Sequence, residues 1–337
     1  MGRPMPRITT MPGLLRTFAL ALAALPVLCV PAAGQDWPAR PMTMVIPFSA
    51  AGGVDVVGRI MGARMAEILG RPIIIENVGG AGGMVGSSRV AKATPDGYQF
   101  VLGSVGTHAQ NQTLYKNPLY NTATDFAPVA LVAEQPIILA ARNTMPVKDF
   151  QEFIAYAKTN QAKMQYGSPG SGSSSHLACA LLTSAIGASK ITHIPYRTGG
   201  VVPDLIAGRI DYQCPTGAVA TPLYQGNQAK MIATLTRDRW RSLPDLPTAH
   251  EQGLTDFEAY IWFAMFLPRA TPPAIVQKLN AAAVEAMNTP AVQARLNEIG
   301  ATVVAPERRT PAYLQKFVES EISKWAAPIK AAGIVGE

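Results

Sequence analysis

Four short apolar runs in the chain each end in a loop rich in Gly, Ser and Thr that leads into a helical pattern. They lie within residues 42–55, 98–111, 164–176 and 191–200. At such a junction the unpaired backbone N–H groups and the positive end of the helix dipole face whatever occupies the loop. In open α/β sheets these loops gather at the carboxyl ends of the strands, where ligands bind. The pattern therefore predicts a site for a small anion.

The first loop holds the strongest candidate anion donors, Ala51, Gly52 and Gly53. Glycine lets a backbone N–H approach a ligand closely because no Cβ stands in the way. Asp55, which follows, allows two interpretations. It binds the ammonium group of an amino-acid ligand, or it is an acid that the helix dipole stabilises in the first turn. The second interpretation requires no ligand and is favoured.

A serine-rich loop supplies further donors ahead of a helical pattern. It contains Ser171, Ser173, Ser174 and Ser175; one of these hydroxyls caps the helix, and we expect at least one other to contact a ligand. A lone histidine is more often a structural hydrogen-bonding group than a base, and this favours the structural interpretation for all four in the chain, His108, His176, His193 and His250. His108 nevertheless stays a candidate ligand contact because it lies in the second loop.

Catalytic and cofactor motifs are absent from the sequence. No GxSxG, HExxH, CxxC or P-loop pattern occurs. The serines beside His176 suggest a hydrolase as a minor alternative, but adjacent residues do not form a triad and no acid is placed to orient the imidazole. The glycines of GGAGGMVG (Gly80, Gly82 and Gly86) lack the GxGxxG spacing of a dinucleotide site, so helix packing explains them better. We expect no catalytic residue, no metal and no cofactor.

The first 34 residues have the features of a secretory signal peptide. Arg3, Arg7 and Arg16 precede the apolar run 17–30, and small residues follow it, which predicts cleavage near residues 32–35 and export to the periplasm. An uncleaved anchor is the alternative. Removing the segment lowers the formal charge of the 337-residue chain from +7 to +4, because it contains three arginines and no acid. No basic cluster remains that would favour a nucleic-acid partner.

Export also affects the interpretation of the three cysteines. Cys29 leaves with the signal peptide, so Cys179 and Cys214 remain as an even pair in an oxidising compartment. We expect a disulfide between them; two buried free thiols are the alternative.

Strand and helix patterns alternate along the rest of the chain and predict an α/β protein whose sheets are largely parallel. Two strand-like stretches, 125–143 and 257–268, interrupt the alternation and flank a separate block. They predict a discontinuous first lobe (35–130 and 258–337) with an inserted second lobe (131–257) and a ligand cleft between the two. Aromatic residues at loops and crossings could line that cleft or belong to the core, namely Phe48, Tyr196, Trp262 and Phe263.

Seven motifs occur in an order that resembles one family. They are PFSAAGGVDVVGR, ENVGGAGGMVG, ATPDGYQFVLGSVGTHAQN, GSPGSGSSSHLA, THIPYRTGG, LPDLPTAHEQG and WFAMFLPRATPP. The chain from Trp37 onward is similar to the Bug-type solute receptors of tripartite tricarboxylate transporters. The resemblance implies a two-lobed periplasmic-binding-protein (Venus flytrap) fold with a carboxylate in the cleft.

The resemblance also implies which residues bind. First-lobe loops 48–55 and 104–111 would hold one carboxylate, and second-lobe loop 168–176 would select the distal end of the ligand. The implied contacts are Phe48, Ala51, Gly52, Gly53, Asp55, Ser104, Thr107, His108, Ser168, Ser171, Ser173 and Ser174, and the cleft candidates Tyr196 and Trp262 are added to them. Two departures are Ala51, where Gly or Pro is frequent, and CPTGA after GRIDYQ, where an acidic loop is frequent.

The expected function is capture of a small organic carboxylate by a monomeric protein and its delivery to the permease subunits of a membrane transporter. Closure of the two lobes around the ligand would provide the mechanism. A sensory receptor that presents the ligand to a membrane signalling protein is the second interpretation, and its binding site would be the same.

Overall fold

Two β-sheets with helices packed against them make up the protein, as seen in a computed structural model that describes residues 1–5, 37–196 and 199–335. Most of the expected signal peptide and its cleavage region lie outside the described residues. From Trp37 onward the chain forms a single unit, to which the account below is restricted. None of the described helices is both long enough and apolar enough to cross a membrane.

The strands and helices alternate along most of the chain. The strands are β1 (Met42–Ile46), β2 (Ile73–Asn77), β3 (Gln99–Ser104), β4 (Phe126–Pro136), β5 (Ile138–Ala141), β6 (Gln165–Ser168), β7 (Thr192–Pro195), β8 (Tyr212–Gln213), β9 (Lys230–Thr234), β10 (Tyr260–Pro268) and β11 (Thr302–Val303). The helices are α1 (Gly53–Leu69), α2 (Met84–Ala91), α3 (Asn111–Leu114), α4 (Thr122–Asp125), α5 (Phe150–Asn160), α6 (Ser174–Ala185), α7 (Val201–Ile206), α8 (Gly217–Gln225), α9 (Pro273–Asn288), α10 (Pro290–Glu298) and α11 (Pro311–Ala331).

The first sheet has the strand order β11-β4-β10-β3-β1-β2. Its β1 lies parallel to β2 and β3, while β10 runs antiparallel to both β3 and β4. Residues of β1 and β3 are almost all buried because helices cover the sheet, which explains their continuous apolar sequence. Helix α1 packs here through buried positions at helical spacing, Val54, Val57, Met61 and Met65.

The second sheet has the order β7-β6-β8-β5-β9. Its β6 is parallel to β7 and β8, and β5 is antiparallel to β8 and β9. The two-lobed α/β fold predicted from the sequence is confirmed. Both sheets are mixed rather than largely parallel, because the long strands that enter and leave the lobes run against their neighbours.

The chain passes from the first sheet to the second at Ile137, which lies between β4 and β5. The backbone returns beside it: Leu235 N–H donates to Ile137 O at 2.8 Å, and Ala259 N–H donates to Leu235 O at 2.7 Å. Two strand crossings joined by backbone hydrogen bonds therefore connect the lobes. Such a narrow connection suits a hinge.

The elements that were not predicted from the sequence include a π-helical turn, Gly106–Gln110, which follows β3, and α10, which follows α9 directly after Thr289. The π-helical turn encloses Thr107 and His108 in the first lobe, which affects the role of both residues.

Candidate functional site

A cavity of about 230 Å³ lies where the carboxyl ends of β1, β3, β6 and β8 meet the helices that follow them. Both lobes contribute to its wall. The lining residues are Phe48, Ser49, Ala50, Ala51, Gly52, Gly53, Val54, Ser104, Pro169, Ser173, Ser174, Ser175, Gly199, Gly200, Val201, Val202, Pro203, Gln213, Pro215, Thr216, Val219 and Ile261.

Three helices of eight or more residues begin at this cavity. Gly52 is the N-cap of α1, Ser173 of α6 and Thr216 of α8, and all three residues line the wall. The first backbone N–H groups of a helix have no partner within the helix, and its dipole favours negative charge there. The convergence of three such ends makes the cavity electropositive without a lysine or arginine among its described lining residues.

Three buried polar side chains of the cavity wall lack a hydrogen-bond partner. They are the Ser104 hydroxyl, the Gln213 amide nitrogen and the Thr216 hydroxyl, and each residue is at most 7% exposed. An unpaired buried polar group costs about 1–3 kcal/mol, so such groups are usually satisfied by water or a ligand. Two hydroxyls and one amide group are therefore free to donate hydrogen bonds to a ligand in the cavity.

The first loop is held in place by Asp55. Its carboxylate accepts the Ala51 N–H at 2.9 Å, the Arg59 Nε–H at 2.8 Å and the Asn77 Nδ2–H at 2.9 Å. Burial alone raises the pKa of Asp55, but these hydrogen bonds outweigh it, so the pKa lies below its usual value. Asp55 is 2% exposed and does not line the cavity. Asp55 therefore fixes the conformation of the loop from the side that faces away from the cavity.

Of the three backbone N–H donors predicted in this loop, one is occupied and two are free. The Ala51 N–H is used by Asp55, and Ala51 adopts φ +62°, the left-handed conformation that the turn requires. Gly52 has φ −76° and ψ 165°, an extended conformation open to any residue. The Gly52 and Gly53 N–H groups, at the start of α1, remain as the donors of the loop.

Seven of the predicted contacts line the cavity together. They are Phe48, Ala51, Gly52, Gly53, Ser104, Ser173 and Ser174. The other seven predicted contacts are not among the lining residues of this cavity.

Thr107 and His108 are fully buried beneath the wall of the cavity. Thr107 Oγ1 accepts the Ser104 N–H at 2.9 Å and lies 2.8 Å from His108 Nδ1. The His108 ring stacks on Phe266 with ring centroids 4.0 Å apart, and burial lowers its pKa to about 3. The histidine is therefore neutral. Thr107 fixes the position of Ser104 and has no face of its own on the cavity.

Two of the predicted serines take part in local structure of the second lobe. Ser168 is buried, with its hydroxyl 2.7 Å from His193 Nε2 and accepting the Gly170 N–H at 3.2 Å. Ser171 lines a neighbouring cavity together with the glycine-rich segment 79–83, and its carbonyl accepts a hydrogen bond from the first-lobe Tyr115 hydroxyl at 2.9 Å.

The predicted aromatic contacts Tyr196 and Trp262 also lie outside the cavity lining. Tyr196 donates its hydroxyl proton to Asp204 at 2.5 Å, and burial is the main cause that raises its pKa to about 12. Trp262 is fully buried and donates from Nε1 to Glu321 at 2.9 Å in the first lobe. The period-two pattern of β10 places Ile261 on the cavity side and Trp262 on the opposite face.

Several lining residues were not predicted, and most come from the second lobe. Gln213, Pro215, Thr216 and Val219 belong to the end of β8 and the start of α8. In the sequence this segment is the CPTGA departure from the family pattern. A strand followed by a small-residue turn and a helix was again the available signal, but β8 is only two residues long.

The two lobes meet around the cavity. A Cβ added to Gly53 at the start of α1 would overlap the side chain of Thr216 at the start of α8. The Gly106 N–H donates to Ser174 Oγ at 3.2 Å, again from the first lobe to the second. Gly82, at φ +59°, lies so close to Ser171 that a Cβ would overlap its carbonyl. These contacts describe a closed arrangement.

The hydroxyls of Ser173 and Ser174 accept backbone N–H groups and do not contact an imidazole. Ser173 Oγ accepts the His176 backbone N–H at 3.2 Å as the N-cap of α6, and His176 Nδ1 accepts the Gly172 N–H at 3.1 Å. Burial, with a further effect of His193, lowers the pKa of His176 to about 3. No group of three or more potential metal ligands occurs among the described residues.

A disulfide between Cys179 and Cys214 links two parts of the cavity wall. Cys179 lies in α6, whose first turn supplies Ser174 and Ser175, and Cys214 stands between the lining residues Gln213 and Pro215. The bond fixes the start of α6 relative to the end of β8. It spans 35 positions of sequence with a Cα–Cα distance of 5.6 Å.

The fold and the cavity together define a two-lobed binding protein for a small solute. The family model of the tripartite tricarboxylate transporter family receptor (TctC) matches residues 57–334, and the chain belongs to this family. Its members are periplasmic solute-binding receptors.

Solved structures of related proteins agree with this assignment. MatC from Rhodopseudomonas palustris, with bound malate, is 38% identical, with a TM-score of 0.84 over 87% of this chain and 99% of its own. The periplasmic binding protein BugD is 35% identical, with a TM-score of 0.86 over 89% of this chain and 100% of its own. An R. palustris protein with adipate, Rpa4515, is 34% identical, with a TM-score of 0.84 over 89% and 99% of the two chains.

Proposed function

We propose that this protein captures a small organic carboxylate in the periplasm and delivers it to the membrane permease of a tripartite tricarboxylate-type transporter. The observation that carries the proposal is the convergence of three helix N-termini on one cavity whose wall also holds three unpartnered polar side chains. A carboxylate supplies the negative charge and the lone pairs that these groups favour. The malate and adipate in the two related structures are both carboxylates.

In this proposal the carboxylate lies against the start of α1. The Gly52 and Gly53 N–H groups and the Ser104 hydroxyl donate to its oxygens from the first lobe. Ser173 and Ser174 approach it from the second lobe, at the start of α6. Each lobe alone offers only some of the donors, so the ligand binds the closed arrangement more tightly than the open one and shifts the population towards it.

Delivery to a permease follows from closure. The outer surface near the junction of the lobes changes shape when they close, so a permease could distinguish loaded protein from empty protein. We propose lobe 1 as residues 35–130 and 258–337, lobe 2 as the inserted segment 131–257, and a monomer as the working form. Cleavage of residues 1–34 on export completes the mature chain.

The proposal is tested by a thermal-shift screen of carboxylic acids on the mature chain, followed by calorimetry of those that raise the melting temperature. A ligand that binds only the native state stabilises it by mass action, by about 2.7 kcal/mol at a concentration one hundred times Kd. Amides of the same acids serve as matched uncharged controls. Stabilisation by acids and not by their amides supports the site, whereas equal stabilisation by both would contradict it.

A further inference from the structure

A contact between the lobes that lies outside the lining of the ligand cavity involves Trp240. The indole is 5% exposed and packs in the second lobe with Ile138, Ala220 and Leu243. Its outer edge, formed by Nε1, Cε2 and Cζ2, lies so close to Gly300 of the first lobe that a Cβ on that glycine would overlap all three atoms. The indole therefore belongs to the core of one lobe and rests on the backbone of the other.

The indole rests on the turn that ends α10. Gly300 has φ +68°, a left-handed conformation that favours glycine, and its N–H donates to Asn297 O at 2.9 Å. Gln135 Nε2 donates to Ile299 O at 2.6 Å and holds the turn against β4. From the second lobe, the Ser242 hydroxyl donates to Asn297 O at 3.2 Å. We call the packing of residues 240–242 on residues 297–300 the α10 contact.

The α10 contact adjoins the wall of the ligand cavity at the start of α8. A Cβ added to Gly217 would lie 2.8 Å from Trp240 Cζ2 and 3.1 Å from the Ile299 oxygen. Gly217 follows Thr216, which lines the cavity. The first turn of α8 therefore lies between the ligand cavity and Trp240. The position of the indole on the first lobe limits how far that turn can move towards α1.

The indole N–H of Trp240 has no hydrogen-bond partner among the described residues. By contrast, the buried indoles of Trp262 and Trp325 both donate to Glu321, at 2.9 and 3.0 Å. A buried tryptophan N–H usually has such a partner, and an unpaired donor makes burial less favourable. Separation of the lobes would expose this N–H to water. The α10 contact is therefore suited to forming and breaking rather than to permanent packing.

Resting on the proposed function, we propose that the α10 contact forms and breaks together with the ligand cavity, and that Trp240 is a positioning residue. Trp240 does not touch the ligand. By resting on Gly300 it sets how closely the start of α8 approaches α1, and thereby how well the donors of both lobes reach one carboxylate. The affinity for the ligand would then depend on an indole and a glycine of which only the effect, and not the side chain, reaches the cavity.

Fluorine NMR of protein labelled with 5-fluorotryptophan makes the contact visible. The probes are malate, adipate and benzoate, and Trp240→Leu identifies the Trp240 resonance in the spectrum of the mature chain. Saturation with a probe that binds is expected to shift this resonance and to reduce its solvent isotope shift, because the indole becomes buried. Trp262 and Trp325, which pack within the first lobe, are internal controls. A Trp240 resonance that stays in place with a bound acid would overturn the proposal.

A second experiment tests whether the contact affects affinity. Gly300→Ala places a Cβ where the indole edge lies, so we expect it to bind a probe acid about tenfold more weakly than the wild type. Gly70→Ala is the matched control, because Gly70 has φ +66° at the end of α1 and nothing within 4 Å of its Cβ position. It has the same kind of backbone strain and should leave Kd within about twofold of the wild-type value.

The same comparison in a Trp240→Leu background completes a double-mutant cycle. Leucine lacks the three atoms that face Gly300 but keeps an apolar side chain in the second-lobe core. In this background Gly300→Ala should change Kd by less than about twofold, since residues in contact give non-additive effects. Trp240→Met repeats the cycle if Trp240→Leu does not fold.

Two results of this cycle would contradict the proposal. In one, Gly300→Ala binds the probe acid as Gly70→Ala does, and in the other it weakens binding equally with Trp240 and with its replacement. Failure of malate, adipate, benzoate and every other screened acid to bind the wild type would instead overturn the proposed function, and the inference with it. The two failures are therefore distinguishable.

Discussion

At the scale of single residues, Gly52 is the sharpest probe of the anion site. Its φ of −76° and its open surroundings let a side chain fit without backbone strain, and both Asp and Asn are good N-cap residues. We expect Gly52→Asp to bind a carboxylate about tenfold or more weakly than Gly52→Asn, because only Asp adds a negative charge where the ligand's charge lies. Calorimetry measures the ratio, with circular dichroism as a check on folding. Equal affinities would place the anion elsewhere.

Asp55 has a different role, since it acts on the ligand through the loop that it fixes. In Asp55→Ala the Ala51 N–H and Arg59 lose their acceptor, so the loop becomes mobile. We expect the affinity for a carboxylate to fall by about fivefold or more, because the first-lobe donors are no longer preorganised. Asp55→Asn, which keeps one acceptor oxygen, should recover part of the loss. Wild-type affinity in Asp55→Ala would show that the loop needs no such anchor.

Two buried histidines, His108 and His176, and the half-buried His193 predict the acid sensitivity of the fold. Burial lowers the pKa of His108 and of His176 to about 3 and that of His193 to about 4. In the unfolded chain histidines titrate near 6.5, so between pH 6.5 and about 4 the unfolded state binds more protons. The free energy of unfolding should therefore decrease as pH falls through this window.

The slope of that decrease tests the histidine assignment. Each histidine can contribute up to about 1.4 kcal/mol per pH unit, because one pKa unit corresponds to that free energy. In His193→Gln one titrating group is lost, so the slope of the free energy of unfolding between pH 6 and 4.5 should fall by the contribution of one histidine. Chemical denaturation at several pH values measures it. The same slope in wild type and variant would mean that His193 does not titrate with unfolding.

At the scale of elements, the starts of α1 and α8 limit how closely the lobes approach. Gly53→Ala would push its Cβ into Thr216, so we expect the loaded protein to remain more open than the wild type. Small-angle scattering with saturating ligand would show a larger radius of gyration. In the double variant Gly53→Ala/Thr216→Gly the overlapping side chain is absent, so the radius of gyration of the loaded protein should return to the wild-type value. If Gly53→Ala closes as fully as the wild type, the two helix ends do not meet in the loaded form.

The sequence predicted these elements better than it predicted their contacts. Strand, small-residue loop and helix N-terminus follow one another in a local pattern, so the loops after β1, β3 and β6 could be identified as cavity walls. Which backbone N–H of a loop remains free to bind a ligand depends on the side chains that pack against the loop. Ala51 is recognisable as a loop residue, but its N–H is consumed by the Asp55 carboxylate. Similarly, His108 lies in a predicted loop, yet a π-helical turn directs its side chain into the core.

The wall formed by β8 and α8 could not be predicted for a related reason. A two-residue strand leaves almost no periodic signal, and Val219 and Thr216 face the cavity only because the second lobe folds back over the first. Trp262 illustrates the same limit. The sequence indicated a strand at residues 257–268, but its continuous apolar run does not show which face Trp262 occupies; the packing of α11, through Glu321, decides this.

At the scale of the whole molecule, the paired crossings at Ile137 and Leu235 predict that the lobes move as units. Free and ligand-saturated protein should differ in radius of gyration, with compaction on binding, because the crossings leave few covalent restraints between the sheets. Small-angle scattering on matched samples measures this. A tight ligand that leaves the radius of gyration unchanged would contradict closure as the mechanism.

The bond between Cys179 and Cys214 makes the cavity depend on the redox state of the surroundings. A chain that is still in the reducing cytoplasm would lack this link, and the strand end that carries Gln213 would not be fixed to α6. The precursor would therefore be a poor competitor for the acids that cytoplasmic metabolism uses. With the export to the periplasm proposed above, oxidation of this pair would complete the wall of the cavity only after the chain has left the cytoplasm.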